Sequence, residues 1–131
     1  MSEMNGIVPC LTIDGAKAAI EFYKKAFAAE ELSRADHEDG KRLMHAHIRI
    51  NGSDVMMWDV FPEFGMAKDP PRGVTVHIEV DDADKWWARA VAAGATVAMP
   101  IQDAFWGSRY GQLKDPFGHT WSIGSPLDKK K

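Results

Sequence analysis

Two pairs of side chains in this sequence could bind a metal ion or a polar ligand. His45 and His47 are two residues apart in one predicted strand, and His77 and Glu79 are two residues apart in another. Side chains at positions i and i+2 of a strand lie on the same face of the sheet, so each pair would present two donor groups together. Imidazole nitrogens with a carboxylate form a reasonable ligand set for a divalent metal. The pairs therefore predict either a metal site or polar contacts to a small ligand.

Aromatic residues are concentrated in residues 105–124, a segment that contains Trp106 and Arg109. Burying one tryptophan contributes roughly 4–6 kcal/mol, since about 150–250 Å² leaves water at about 25 cal/mol per Å². We therefore expect these aromatic side chains to be covered by the core, by a second subunit or by a ligand. Arg109 would either bind an anionic group in a cavity or pair with an acid such as Asp103 or Asp115.

Two tight turns are predicted near these residues. The first is DPFG at residues 115–118, where proline presets one φ, aspartate accepts from the following backbone and glycine supplies a positive φ. The second is Asn51-Gly52, a strong hairpin signal. A loop of two or four residues would place Asp59 on the opposite face from His45 and His47, whereas a three-residue loop would place them together.

Hydrophobic periodicity predicts two helices. The first follows Asp14 as a candidate N-cap and runs from Ala16 to about Ala28. The second is capped by Asp81 or Asp82. The expected apolar positions are Ala16, Ile20, Tyr23 and Phe27 in the first helix and Ala83, Trp87, Ala90 and Val91 in the second. Short apolar or alternating segments predict strands at residues 7–13, 30–36, 41–50, 55–60, 74–80, 95–100, 109–114 and 119–123.

These elements form an internal repeat. The segment LTIDGA at residues 11–16 aligns with IEVDDA at residues 78–83, an offset of 67 residues. The pattern predicts an α+β fold with two tandem βαβββ modules, at residues 5–60 and 74–125, in a single domain spanning residues 1–131. Residues 61–73, rich in proline and glycine, form the linker. Each helix covers one face of its sheet, so the two remaining curved faces are expected to enclose a cavity.

Composition limits the function classes. The chain has 131 residues, a net charge of −3 and one cysteine, so we expect neither a nucleic-acid footprint nor an intrachain disulfide. The first residues, MSEMNG, lack the basic and apolar regions of a secretory signal, and no apolar run approaches the ~20 residues needed to cross a bilayer. We therefore expect no membrane partner and a cytoplasmic location.

Three motifs carry a family resemblance: DGAKAAIEFYKKAF, GVTVHIEVDDADKWWARAVAAGA and FWGSRYGQLKDPFGHTW. They resemble the vicinal oxygen chelate superfamily, which comprises the glyoxalase, bleomycin resistance and dioxygenase proteins, and within it the PhnB-like branch. The resemblance covers about residues 5–125 and implies paired βαβββ modules, usually in a homodimer, with the site on concave sheets. The family's usual glycine after the first helix is Ala28 here.

The resemblance also implies where a metal would bind. The family's ligand positions fall near Val8 and Met57 in the first module and at His77 and Ser122 in the second. Valine cannot ligate, methionine sulfur is too soft for Mg, Mn or Fe(II), and serine is a weak ligand. Catalytic zinc sites use three protein ligands. We therefore expect no metal at the family's positions, as in the bleomycin-binding members, and no other cofactor.

The sequence thus predicts a homodimeric protein that binds a small, partly aromatic or hydrophobic molecule in the cavity between its modules. The alternative is a metal-dependent lyase, isomerase or dioxygenase whose divalent ion is held by a displaced set, His77, Glu79, His45 and His47. The residues predicted to line the cavity are His45, His47, Trp58, Asp59, His77, Glu79, Trp106 and Arg109.

Overall fold

The first module contains four strands and one long helix. The computed structural model describes residues 4–66 and 69–127. Contacts divide the chain between Asp69 and Pro70 into two compact units, with Lys25–Phe27 counted in the second. The elements of the first module are β1 (Cys10–Ile13), α1 (Ala16–Phe27), β2 (Glu30–Asp36), β3 (Leu43–Ile50) and β4 (Ser53–Asp59). The sheet order is β1-β4-β3-β2, with β1 parallel to β4 and the other pairs antiparallel.

The second module repeats this topology. Its elements are β5 (Thr75–Glu79), α2 (Ala83–Ala93), β6 (Thr96–Ala104), β7 (Ser108–Lys114) and β8 (Thr120–Pro126). The sheet order is β5-β8-β7-β6, with β5 parallel to β8. The helices start at Ala16 and Ala83, which reproduces the predicted offset of 67 residues. The α+β fold with two βαβββ modules is therefore confirmed.

The predicted linker, residues 61–73, begins with a short 3-10 helix at Pro62–Phe64. Phe61, just before it, is buried, and the guanidinium of Arg42 lies 4.4 Å from the centre of its ring. Residues 67 and 68 lie outside the described part of the chain, as do both ends of the predicted 1–131 domain. The domain limits drawn from the sequence therefore stay predictions.

The apolar positions of the first helix were predicted correctly. Ala16, Ile20, Tyr23 and Phe27 are all fully buried. In α2 the expectation holds for Ala83 and Ala90 but is wrong for Val91, which is 40% exposed. The core side of α2 is narrower than predicted because its last turn leaves that side chain in solvent.

The length of the hairpin loop at Asn51-Gly52 determines which side chains of β3 and β4 lie on the same face of the sheet. Ile50 pairs with Ser53, so the loop has two residues, and both loop residues have a positive φ, 48° and 84°. This is the geometry of the favoured hairpin turns. One face of the sheet, carrying Ala46, Ile48 and Met57, is buried, and we call the other the open face.

None of the helices in the described ranges has the length and apolar character required to span a bilayer.

Candidate functional site

The candidate site is built around His77 on the face of the second sheet that points away from α2, which we call the open face of that sheet. β5 and β8 are adjacent parallel strands, and His77 is in register with Ser122. The Nδ1 atom of His77 is 2.7 Å from the Ser122 hydroxyl, and its Nε2 atom is 2.8 Å from Oε1 of Glu79. A carboxylate can only accept, so Nε2 donates to Glu79, and a neutral imidazole then accepts at Nδ1 from the hydroxyl. Both ring nitrogens are therefore occupied.

Aromatic rings continue from this imidazole towards the β6–β7 loop. The ring of Tyr110 is stacked on His77 with centroids 5.8 Å apart and planes at 23°. Trp106 meets Tyr110 edge to face with centroids 5.2 Å apart, and Phe105 meets Trp106 in the same way at 5.1 Å. Such offset and edge-to-face pairs are the favoured aromatic geometries. The site therefore has a continuous aromatic wall.

A glycine on β8 makes room for the imidazole. A Cβ atom placed on Gly124 would lie 2.9 Å from Cε1 of His77 and 3.1 Å from the Ser108 hydroxyl. Any larger residue would push the ring away from the sheet or move Ser108. Gly124 thus fixes how closely His77 approaches the backbone of β8.

These groups line an open cavity of about 510 Å³. This volume lies within the range of small-molecule sites in proteins. The lining residues come from β5, β7, β8 and the β6–β7 loop; they are Thr75, His77, Glu79, Trp106, Gly107, Ser108, Tyr110, Ser122 and Pro126. Three of the predicted site residues, His77, Glu79 and Trp106, are therefore brought together here.

Three other predicted site residues lie on the open face of the first sheet. His45 Nε2 is 3.2 Å from the Met56 sulfur, and His47 Nε2 is 2.8 Å from Oδ1 of Asp54. The indole N–H of Trp58 donates to the Thr12 hydroxyl at 3.0 Å. One ring nitrogen of each histidine and the indole N–H are thus engaged by neighbouring side chains of the same module. The displaced pair His45 and His47 therefore already has other partners.

Asp59 is a correction to the sequence prediction. It is only 3% exposed and lies on the buried face of β4. One oxygen accepts from the amides of Gly15 (2.9 Å) and Ala16 (3.1 Å), and the other from the amide of Leu43 (2.7 Å). Asp59 therefore holds the start of α1 and does not line a cavity. The expected cap, Asp14, is also wrong, because the N-cap position is Gly15, which has no side chain, and the carboxylate of Asp59 accepts from the first amides of the helix in its place.

Arg109 is the second correction. It alternates with Ser108 and Tyr110 along β7, so it lies on the opposite face of the sheet from the cavity. Its guanidinium contacts Asp84 at 3.1 Å and Asp103 at 3.0 Å. These two carboxylates, Asp84 first, raise the pKa of Arg109. Of the two interpretations from sequence, pairing with an acid is correct, with Asp84 in place of Asp115.

The register also corrects the metal positions carried over from the family. His77 is in register with Ser122, and the matching pair in the first module is Cys10 and Met56, not Val8 and Met57. Met57 is fully buried on the opposite face. Cys10 is exposed, but partial desolvation still raises the pKa of its thiol, which disfavours the thiolate that metals require. Within residues 4–66 and 69–127 no three His, Cys, Asp or Glu side chains are grouped to hold a metal. The residues present do not fit the family's ion.

Tyr110 and Ser108 were missed by the sequence reasoning. The signal was their alternation: Ser108, Tyr110 and Gln112 share one face of β7, while Gly111 and Leu113 share the other. Gly111 allows α2 to pack closely on β7, because a Cβ atom at this position would be 2.5 Å from the Trp87 ring. Reading β7 by alternation would therefore have placed Tyr110 in the cavity.

The fold and these motifs define a family. The chain belongs to the glyoxalase/bleomycin resistance protein/dioxygenase superfamily, because residues 6–123 match the sequence model of that family. It is 47% identical over 125 residues to the uncharacterized protein Mb0911c of Mycobacterium bovis; the match covers 91% of this chain and 82% of that protein. The resemblance inferred from the three motifs is thus confirmed.

Solved structures are similar over nearly the whole chain. The Arabidopsis thaliana gene product At5g48480 has a TM-score of 0.72 and 28% identity, with 92% of this chain and 98% of that chain covered. The PhnB protein from Bacillus cereus has a TM-score of 0.68 and 22% identity, with 92% and 99% covered. At that identity the second likeness shows the fold alone.

Proposed function

We propose that this protein binds a small, partly aromatic or hydrophobic molecule in the cavity over β5, β8 and β7. The observation that carries the proposal is the wall formed by His77, Tyr110 and Trp106. Trp106 is 56% exposed, an unusual position for so large an apolar group unless something covers it. A planar apolar group laid against this wall would bury the indole, and the hydroxyl and carboxylate groups beside it would fix its orientation.

In this proposal the protein acts without the family's metal. The four register positions, Cys10, Met56, His77 and Ser122, offer one good hard-metal ligand, and both nitrogens of that histidine are hydrogen-bonded. The alternative, a metal-dependent lyase, isomerase or dioxygenase, is favoured by the direct contact of His77 with Glu79. It needs a third donor, and His45 and His47 are engaged with Met56 and Asp54.

The ligand proposal is tested by NMR titration with small aromatic compounds. We expect chemical-shift changes at the indole N–H of Trp106 and at the amides of Ser108–Lys114, saturating at millimolar concentration or below. Trp106→Ala should weaken binding at least about tenfold, since a large stacking surface is lost. Trp86→Ala is the matched control, because Trp86 is half-buried on α2 outside this cavity. Equal losses in the two variants would contradict the proposed site.

The metal alternative is tested by calorimetric titration with Zn²⁺, Mn²⁺, Ni²⁺ and anaerobic Fe²⁺. We expect no sub-micromolar binding at His77. Sub-micromolar binding that His77→Ala abolishes and His37→Ala leaves intact would overturn the metal-free proposal in favour of the metal-dependent alternative. His37 is a suitable control because it lies in a surface turn of the first module.

We also propose that the protein is a homodimer located in the cytoplasm. Several large apolar side chains are exposed, including Phe105 at 97% and Val74 at 73%, and a second copy would cover such surface. Light scattering at micromolar concentration should give twice the mass of 14.6 kDa. A monomer mass would reject the dimer, and fractionation of cells that make the protein tests the location.

A further inference from the structure

Gly124 is a glycine that its backbone conformation does not require. Nine of the eleven glycines have a positive φ, whereas Gly111 and Gly124 lie in β7 and β8 outside that region. Glycine inside a strand weakens the strand and often marks a position that another group approaches closely. The packing of α2 on β7 accounts for Gly111. The reason for Gly124 must therefore lie in the space beside β8.

That space is occupied by two side chains of the cavity lining, His77 and Ser108. A Cβ atom on Gly124 would lie 2.9 Å from Cε1 and 3.4 Å from Nε2 of His77, and 3.1 Å from the Ser108 hydroxyl. The hydroxyl donates only to backbone carbonyls at 3.3 and 3.4 Å, so it can rotate aside. An added methyl group would therefore act mainly on the imidazole, which would have to move off the sheet.

The first module shows what a side chain does at the same position. Thr12 pairs with Trp58 and Glu79 pairs with Gly124, each pair lying two residues beyond the family's ligand positions. The indole of Trp58 donates to the Thr12 hydroxyl at 3.0 Å, so it lies across the neighbouring strand. A large side chain occupies the open face at this point of the first sheet, whereas glycine lets His77 lie against β8 in the second.

The position of His77 in turn determines the aromatic wall. Its ring is stacked on Tyr110 with planes at 23°, and Tyr110 pairs with Gly124 across β7 and β8. Moving the imidazole away from β8 would disturb this stacking and push the ring into the cavity. The effect depends on where the ring lies and not on whether it is protonated.

We propose that Gly124 determines the size of ligand that the cavity accepts. Because the His77 ring lies against β8, the cavity of about 510 Å³ has room for a planar group of two fused rings. A side chain at position 124 lifts the imidazole into the cavity and restricts it to smaller groups. Gly124 is thus a positioning residue that acts through His77. This inference rests on the proposed function, because it names the residue that sets ligand size at the same site.

The test compares benzyl alcohol with 1-naphthalenemethanol, two neutral probes that differ by one fused ring. Dissociation constants are measured by NMR titration, following the indole N–H of Trp106. The larger probe should bind the wild type about fivefold more tightly, since its second ring buries more apolar surface. Gly124→Ala should reduce this preference to about twofold or less, because the displaced ring overfills the cavity.

Two further variants separate positioning from general damage. His77→Ala removes the ring that the added methyl group displaces, so Gly124→Ala should not change the preference in that background. Ser125→Ala is the matched control on the opposite face of β8, where its hydroxyl accepts from Ala83, and it should leave both dissociation constants unchanged. In Gly124→Ala the ring-proton signals of His77 should shift, while those of His37 in the first module should not.

The outcomes distinguish this inference from the proposed function. A Gly124→Ala variant that keeps the wild-type preference would overturn the assignment while the binding function stands. An equal loss of preference in the His77→Ala background would also overturn it. If Gly124→Ala does not fold, His77→Ala should restore folding, and a failure to do so would count against the assignment. Absence of any shift at Trp106 with either probe at millimolar concentration would reject the binding function itself, and the inference with it.

Discussion

Each module buries an aspartate whose two oxygens both accept from N–H groups, but the two aspartates lie at different places in the repeated topology. In the first module Asp59, at the end of β4, accepts from the amides of Gly15, Ala16 and Leu43. In the second, Asp115, in the β7–β8 turn, accepts from two backbone amides and from the indole of Trp121. The repeat therefore preserves the chain path while the buried polar contacts differ between the modules.

The open faces of the two sheets also differ in the polar contacts that they make. In the first module the polar atoms of His45, His47 and Trp58 contact neighbouring side chains of their own sheet. In the second, His77 and Glu79 lie beside exposed aromatic rings in a cavity. The groups of the proposed binding site therefore all lie in the second module. Strand order alone would have suggested two equivalent sites.

The largest effect is expected from removing the aspartate at the start of α1. Asp59→Ala should destabilise the protein by about 3–5 kcal/mol, because three backbone amides, two of them buried, lose their carboxylate acceptor. At the corresponding position of the second module the hydroxyl of Ser125 accepts from Ala83 at 3.3 Å. Ser125→Ala should cost only about 1 kcal/mol, since one neutral hydrogen bond is lost. Urea unfolding measures the loss of stability in each variant. Equal losses would mean that Asp59 and Ser125 stabilise the starts of their helices equally.

The turns between the last two strands of each module give the next comparison. Gly118 has φ of 93°, as the sequence predicted, and a Cβ there would lie 3.3 Å from Cδ of Pro71. Gly52 has φ of 84° with open space around it. Gly118→Val should therefore cost about 2 kcal/mol and Gly52→Val about 1 kcal/mol, because only the former adds a steric contact to the backbone strain. A larger loss at Gly52 would show that the contact with Pro71 is relieved without cost.

The sequence predicted the fold well because its signals were local and appeared twice. The offset of 67 residues, the hairpin at Asn51-Gly52 and the turn at Gly118 are all set by residues next to one another in the chain. The candidate site was predicted less well because its membership depends on strand register. Moving one position along a strand changes the face, which is why Arg109 was assigned to the cavity and Tyr110 was not.

A β-bulge shows the same limit within one strand. Ala35 pairs with His45, whereas Asp36 pairs with Leu43, so Met44 is an extra residue in β3. A bulge reverses the alternation beyond it. Leu43 is consequently buried and Met44 is 42% exposed, although simple alternation predicts Met44 on the apolar side. Such an insertion is defined by the pairing with β2, which a single strand sequence does not contain.

The ends of the two helices differ in a way that predicts a stabilising substitution. Ala28 has φ of 55°, whereas the matching position after α2 is Gly94, with φ of 116°. A left-handed conformation costs a non-glycine residue roughly 1 kcal/mol. Ala28→Gly should therefore raise the free energy of unfolding by about 0.5–1 kcal/mol, and Gly94→Ala should lower it by at least as much. Thermal unfolding measures both, and a loss of stability in Ala28→Gly would show that the Ala28 methyl group contributes packing that outweighs the strain.

The smallest effect is expected for the dependence of stability on low pH. His47 first, and then Arg49, donate hydrogen bonds to Asp54 and hold the pKa of that carboxyl below its usual range. The pKa in the folded state is lower than in the unfolded state, so the stabilisation is present above the unfolded value of about 4 and is lost as pH falls through the folded value. Asp54→Asn should therefore lower the melting temperature at pH 7, and the difference from wild type should shrink as the pH falls below the unfolded value of about 4.

The second module provides the control for this titration. The ion pairs of Arg109 join it to the exposed carboxylates of Asp84 and Asp103, whose contribution is reduced by solvent screening. Asp103→Asn should change the melting temperature less than Asp54→Asn at pH 7. A difference between Asp54→Asn and wild type that stays constant from pH 7 to pH 3 would mean that the variant loses packing and not a charge-dependent contact. In that case Asp54 would stabilise the first module through packing against His47, which is only 6% exposed.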